Sequence, residues 1–430
     1  MKFRTITLMT ALLAVLGLFA NSPARALDDE QELSGSVEKK LTDLIARYYE
    51  YKDQSSYLNM EKAMKEIRGA LADAAKKWRI DIESEDEALQ YINAYVPAMN
   101  LFAKYDSKIK SGKLEEGELD DGPKFHIHLP KTYKGRSVRK MEDFIPVIVD
   151  IRPAGEDAQA WFEKHWDKQP VLDEAALLLP TPPEDGEWDT DEGLANLLTP
   201  LGSLSWDQVA FDQDRMFLCG SGKTAAAAAR IAARFSDRFA GCLLRSGGTD
   251  QDYYAPNLAR IAVFAAEESP LVKAVEAKQG NVTKGKVEGE ALEKWVTETK
   301  RIRYPEKISG VVSSLAWSDA VWLKVREFSV TPEADKPDTY PQFQASLDRE
   351  ANKIKVDCKG ISKFYFRLND AVLDLKKEIV VEINGQEAFK KKVERNVDEM
   401  LDTAWLTGER ARLWTRMIEV NVPADTSKPK

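Results

Sequence analysis

Arg215-Met216-Phe217-Leu218-Cys219-Gly220-Ser221-Gly222-Lys223-Thr224 runs directly into Ala225-Ala226-Ala227-Ala228-Ala229-Arg230. The first half is a short apolar run, the pattern of a strand buried on both faces. Glycines at 220 and 222 mark a tight turn, and the alanines that follow are the strongest helix formers. The stretch therefore predicts a strand, a sharp turn and a helix. Its GSGKT also ends many phosphate-binding loops. That loop needs a glycine five positions before the G-K-T glycine, so that backbone N–H groups can wrap the phosphates. The position is Phe217, inside the strand, and nucleotide binding is not expected.

Outward from this point, strands and helices alternate, as in a mostly parallel sheet covered on both faces. Phe125 to Leu129 alternates with period two and suits an edge strand. Phe144 to Ile151 and Ala175 to Leu179 read as buried strands, and Phe239 to Leu244 and Ile261 to Ala265 as strands that follow the alanine helix. Residues 31–112 read instead as helices: Val37, Leu41, Leu44, Ile45 and Tyr48 keep helical spacing, as do Met60, Met64, Ile67, Leu71, Ala74 and Trp78. Ser84 to Glu87 has the form of a capping box, with Pro97 as a kink in the helix it opens. The tyrosines at 48, 49, 51, 91 and 95 are expected in a core rather than a groove. Ser111 to Gly122 reads as a linker. Beyond the acidic, proline-bearing segment 331–338, short strands replace the alternation, with a hairpin turn at Asn384-Gly385. The expected division is a leader at 1–26, a helical domain at 27–118, an α/β domain at 119–335 and a β-rich domain at 336–430.

Lys2 and Arg4 ahead of the apolar run Ile6 to Ala20, with Ala24-Arg25-Ala26 as a small-x-small cleavage site, form a secretory signal. An exported protein, periplasmic or extracellular, is expected. No later segment approaches the ~20 apolar residues of a membrane span. Loss of the leader removes three basic residues and moves the formal charge from −9 to −12, which disfavours nucleic acid as a partner. Three cysteines are too few for a disulfide framework; Cys219 and Cys242 fall on neighbouring strands and read as buried thiols.

From Lys124 to about residue 330 the chain resembles secreted bacterial α/β-hydrolases of the esterase and prolyl-oligopeptidase-like kind. The matching phrases are Phe125 to Tyr133, ending in Leu129-Pro130-Lys131-Thr132-Tyr133; Pro146 to Asp150, before the oxyanion-hole loop; Asp212 to Arg215, at the entry to the elbow strand; Ser236-Asp237-Arg238-Phe239-Ala240; and Ser246-Gly247. The resemblance implies a nucleophile elbow, G-x-S-x-G, on Gly220-Ser221-Gly222-Lys223-Thr224, and a C-terminal β-domain with an Asn-Gly hairpin. It also implies three losses. The nucleophile position is Gly222, which has no hydroxyl. The acid position is Ser269, in Ala265 to Pro270. All three histidines (His126, His128, His165) precede the elbow, where the implied order is serine, acid, histidine. The oxyanion-loop equivalent has become Arg152-Pro153-Ala154-Gly155.

Other sites carry less. Ser221 as nucleophile requires small residues at 219 and 223, and lysine at 223 should clash, although Lys223 is also a conceivable base for it. His126 and His128 share one strand face without a third zinc ligand, and an exposed face is expected. His165 lies on an aromatic helix expected to pack on the sheet. The acidic loop 184–192 lacks calcium-loop spacing. Trp188, Glu267 and Glu268 are candidate cleft contacts. No cofactor or metal is expected. Three readings remain: a degenerate hydrolase binding a small molecule, polymer or envelope protein; an active esterase or peptidase through Ser221; and an envelope scaffold.

Overall fold

The computed structural model describes residues 33–424 apart from 79–81, 83, 104, 106, 120–121, 136–137, 139, 248–252 and 334–335. The expected leader lies outside the described residues.

Helices α1 (Gly35–Asp53) and α2 (Tyr57–Lys77), a 3-10 stretch (Glu85–Ala94) and α3 (Val96–Leu101) pack around one core. The apolar spacing read from the sequence is the buried face: Leu41, Leu44, Ile67 and Leu71 are almost wholly enclosed, and Tyr48, Tyr49 and Tyr95 are core side chains. The expected capped and kinked third helix is two elements. Ser84 makes no side-chain cap, and Pro97 sits in the first turn of α3, where its missing N–H costs nothing.

Next come β1 (Leu114–Glu118), β2 (Lys124–His128), β3 (Ile145–Ile151), α4 (Ala158–His165), β4 (Ala176–Pro180) and α5 (Asp191–Ser203). They are followed by β5 (Phe211–Ser221), α6 (Ala225–Arg234), β6 (Gly241–Ser246), α7 (Ala255–Leu258), β7 (Ala262–Ala265), α8 (Pro270–Ala277), β8 (Val282–Lys284) and α9 (Gly289–Glu298). Among the described residues these strands form one sheet in the order β1-β2-β4-β3-β5-β6-β7-β8. Only β2 runs against its neighbours. Alternate residues of each strand serve opposite faces: Val147, Val149 and Ile151 face α5, α6, α7 and α8, whereas Ile148 faces α4 and α9. The supposed linker 111–122 holds β1, which displaces β2 from the sheet edge. Its Leu-Glu-Glu-Gly-Glu sequence is the charged kind that edge strands use against further pairing.

The remainder is β9 (Lys307–Val311), β10 (Asp319–Ala320), β11 (Leu323–Phe328), β12 (Gln342–Asp348), β13 (Lys353–Lys359), β14 (Ile361–Leu368), β15 (Ile379–Ile383), β16 (Gln386–Lys391), α10 (Val397–Thr407) and β17 (Arg416–Asn421). Its strands make a four-stranded and a five-stranded sheet around a shared apolar core. Asn384 and Gly385 both have positive φ, as a two-residue hairpin turn between β15 and β16 requires. Strands β9 and β11 lie upstream of residue 336 yet pair within these sheets. Helix α10 turns its apolar face away from the sandwich core, though Glu399 still pairs with Arg416 of β17. Val397, Met400, Leu401 and Ala404 enter the N-terminal helical core, Tyr49 Oη donates to Leu401 O at 2.9 Å, and Arg68 bridges Asp86 and Asp398. The N-terminal helices and α10 thus share one core.

Candidate functional site

The elbow is built by close packing. β5 carries Phe217, Leu218, Cys219 and Gly220 with no appreciable exposure, and a single 3-10 turn, Gly222–Thr224, leads into α6. A Cβ at Gly220 would lie 2.7 Å from Ala228 Cβ, 2.7 Å from Thr224 O and 2.9 Å from Ala225 Cα. Only glycine lets the strand and helix approach this closely. Gly222 is at the apex with φ +58°, a conformation that costs side chains roughly 1–2 kcal/mol. A Cβ there would meet nothing within 4 Å. The position that the resemblance assigns to the nucleophile thus has the backbone and the open space of an elbow, but no reactive atom. Behind it, Gly247 (φ +79°) presses on Gly222, since its Cβ would stand 2.6 Å from Gly222 O.

Ser221 ends β5 in extended conformation. Its N–H donates to Thr224 Oγ1 at 3.0 Å, and its Oγ is 3.0 Å from Ser246 Oγ, which also accepts from Gly222 N at 3.0 Å. Among the described residues no hydrogen bond joins Ser221 to a histidine, a carboxylate or Lys223, which is exposed. Serine hydroxyls need such a base to attack at neutral pH. Ser246 was missed as a contact because only the β5–β6 register brings it to Ser221.

Ser269 follows β7 as the N-cap of α8, its hydroxyl accepting from Val272 N at 3.3 Å. The residue that the resemblance puts at the acid position is thus a helix cap. Beside it Glu267 and Glu268 are exposed, and Glu268 is held outward by Lys273 and Lys284.

The segment that the resemblance aligns with the oxyanion loop is held by bonds of its own. Arg152 is buried, its Nε donating to Glu156 O at 3.1 Å and its Nη1 to Pro180 O at 2.6 Å. Burial holds its guanidinium below the ordinary value. Pro153, Ala154 and Gly155 continue the loop outward, Gly155 with φ +83°. Trp188, expected to line a cleft, is 1% exposed and donates its indole N–H to Arg152 O at 2.8 Å. It is a core side chain because the acidic loop folds back over the 152–155 segment. The loop's carboxylates are used likewise: Asp189 pairs with Arg230 and Arg234, and Glu192 accepts from Glu184 N.

Among the described residues no histidine is hydrogen-bonded to the elbow turn, although the backbone O of His165 accepts from Arg245 Nη1 at 3.0 Å, one residue before Ser246 on β6. His128 is not on an exposed face: it is 7% exposed and stacks on Phe162 of α4, while His126 is half-buried on the same side of β2. His165 packs against Trp161. Burial lowers all three below the ordinary imidazole value. Under α4, Asp150 is fully enclosed, its Oδ2 accepting from the indoles of Trp161 and Trp166 at 2.8 and 2.7 Å. It ends the strand read as Pro146 to Asp150, and its polar partners were hidden in the aromatic helix. Cys219 and Cys242 are free buried thiols, the second pushed up to about 12 by burial.

No family model matches the chain, and no curated protein matches it in sequence. Among solved structures, a thermostable esterase is 16% identical over 44% of this chain and 63% of its own, less than two thirds of its length, with a TM-score of 0.34. An S-formylglutathione hydrolase from Staphylococcus aureus is 9% identical over 43% and 98%, TM-score 0.31, and an arylesterase 10% over 54% and 94%, TM-score 0.29. The strand order with only β2 reversed, and the strand–turn–helix elbow after β5, identify residues 114–298 as an α/β-hydrolase fold.

Proposed function

We propose that this is an exported protein that keeps the α/β-hydrolase frame without its chemistry and acts by binding rather than turnover. The observation that carries this reading is the apex: glycine, with φ +58°, stands at the turn where the resemblance puts the nucleophile. Two further points support it. The acid position caps a helix, and the oxyanion-loop equivalent is tied to Pro180 and Trp188. Removing any one member of a catalytic triad costs several powers of ten in rate, and here none stands in place. Export is supported by the basic start, apolar run and small-x-small site of residues 2–26, and no helix among the described residues is long and apolar enough to cross a membrane. The test is hydrolysis of short-chain p-nitrophenyl esters by the mature protein and by Ser221→Ala. Equal rates, at the level of buffer, are expected; turnover that disappears with Ser221→Ala overturns the proposal.

A further inference from the structure

A cavity of about 520 Å³ lies beside the outer strands of the large sheet, within the size range of ligand pockets. Its walls are the turn before β1, the end of β2 with the loop after it, α4, and the segment 167–173 that leads to β4. In the sheet order β2 stands three places from β5, so this cavity is separate from the elbow. Phe162 and Leu172, both nearly enclosed, supply an apolar wall.

The charges on the lining are accessible and unspent. Lys113 pairs with Glu115. Lys131, Lys168, Asp167 and Asp173 are exposed, and among the described residues none of the four makes an ion pair or a side-chain hydrogen bond. Two free cations thus share one cavity with two free carboxylates. Lys131 is held in place by its stem, which lies on Gly112: a Cβ there would stand 2.7 Å from Lys131 Cγ. Gly112 has φ +81°, and its N–H donates to Leu129 O at 2.8 Å.

His128 completes the lining, its ring stacked on Phe162. Its Nδ1 is enclosed and its Nε2 is not, and among the described residues neither nitrogen has a hydrogen-bond partner. Buried polar side chains are nearly always paired, so what completes this one must sit in the cavity. Burial, and then the charge of Lys131, holds the imidazole below its ordinary value, while Asp173 and Asp167 act in the opposite sense. Three of the four free charges therefore lie close enough to act on one ring.

These charges select the ligand. A simple anion is drawn by the two lysines and repelled by the two aspartates, and a simple cation meets the reverse. A neutral molecule uses neither set. Only a molecule carrying both charges is complementary to both. We propose that this cavity binds an apolar α-amino acid as its zwitterion, the carboxylate held by Lys131 and His128, the ammonium by Asp173, and the side chain against Phe162 and Leu172.

The experiment is calorimetric titration of the full mature chain with leucine and phenylalanine, each beside its N-acetyl and its amide derivative, which lack one charge apiece. At least one of the two amino acids should bind saturably, tenfold or more tighter than both of its derivatives, and more weakly as salt is raised. Lys131→Gln should weaken the amino acid tenfold or more without weakening its amide. Asp173→Asn should weaken it similarly without weakening its N-acetyl derivative. Both side chains are exposed, and thermal melts should show both variants folded. Binding by neither amino acid, equally tight binding of either derivative, or unchanged affinity in either variant overturns the proposal. Ester turnover through Ser221 would refute the non-catalytic reading and leave this one intact.

Discussion

Replacing Gly220 by alanine places one methyl group into the tightest contact of the elbow. The new Cβ meets Ala228 Cβ and Thr224 O at 2.7 Å and Ala225 Cα at 2.9 Å, and two of the three are backbone. Real Cβ contacts are longer by about half an ångström or more, so either β5 or α6 must move. Neither moves easily, because Ala228, Ala229, Ala232 and Ala233 are buried against the sheet and β5 lies between β3 and β6. Overpacking of this kind costs typically 1–3 kcal/mol. Gly220 has an ordinary φ, so alanine recovers about 0.4–1 kcal/mol by restricting the unfolded chain. The net expectation is a loss of about 1–2 kcal/mol, read as a lower urea midpoint at unchanged slope. Ala228→Gly removes one of the three clashing atoms. In a double-mutant cycle it should therefore return part of that loss, beyond the sum of the single effects. A Gly220→Ala protein with the wild-type midpoint would refute the close strand–helix approach on which the elbow assignment depends.

Gly222→Ser should fit sterically and still lose about 1–2 kcal/mol from its positive φ, without gaining esterase activity; the thermal midpoint and p-nitrophenyl acetate rate report both. Glu409→Gln should destabilise the protein by about 3 kcal/mol at pH 7, because Arg301 and Arg412 are left buried beside a neutral group. Those two cations hold the Glu409 carboxyl far below its ordinary value. Its contribution is therefore complete above the unfolded carboxylate pKa of about 4.3 and fades as pH falls below it toward the depressed folded value. The difference between wild type and Glu409→Gln in urea midpoint should accordingly shrink as pH falls below 4.

Much of the frame was legible because its signals are local. The continuous apolar runs of β3, β4 and β5, the alanines of α6 and the Asn384-Gly385 turn each announce one conformation whatever surrounds them. The errors lie where tertiary context overrides local character. The polar Leu114–Glu118 reads as linker until β2 offers it an edge to pair with, and Trp188 reads as a cleft aromatic until the acidic loop folds back over Arg152. Nothing in the pattern of helix α10 itself indicates that its apolar face completes the core of the N-terminal helices. The places of Gly222 in the turn after β5 and of Ser269 after β7 follow from the strand pattern of the sequence. The contact of Ser246 with Ser221 was not legible, since it depends on strand register.

The central claim is that no nucleophile remains at this elbow. The most direct measurement is treatment of the folded mature protein with a fluorophosphonate probe, followed by peptide mass spectrometry across residues 215–234. The account predicts no adduct on Ser221, Thr224 or any neighbouring hydroxyl under conditions that fully label an active serine hydrolase. Stoichiometric modification of Ser221, abolished by prior unfolding, would contradict it.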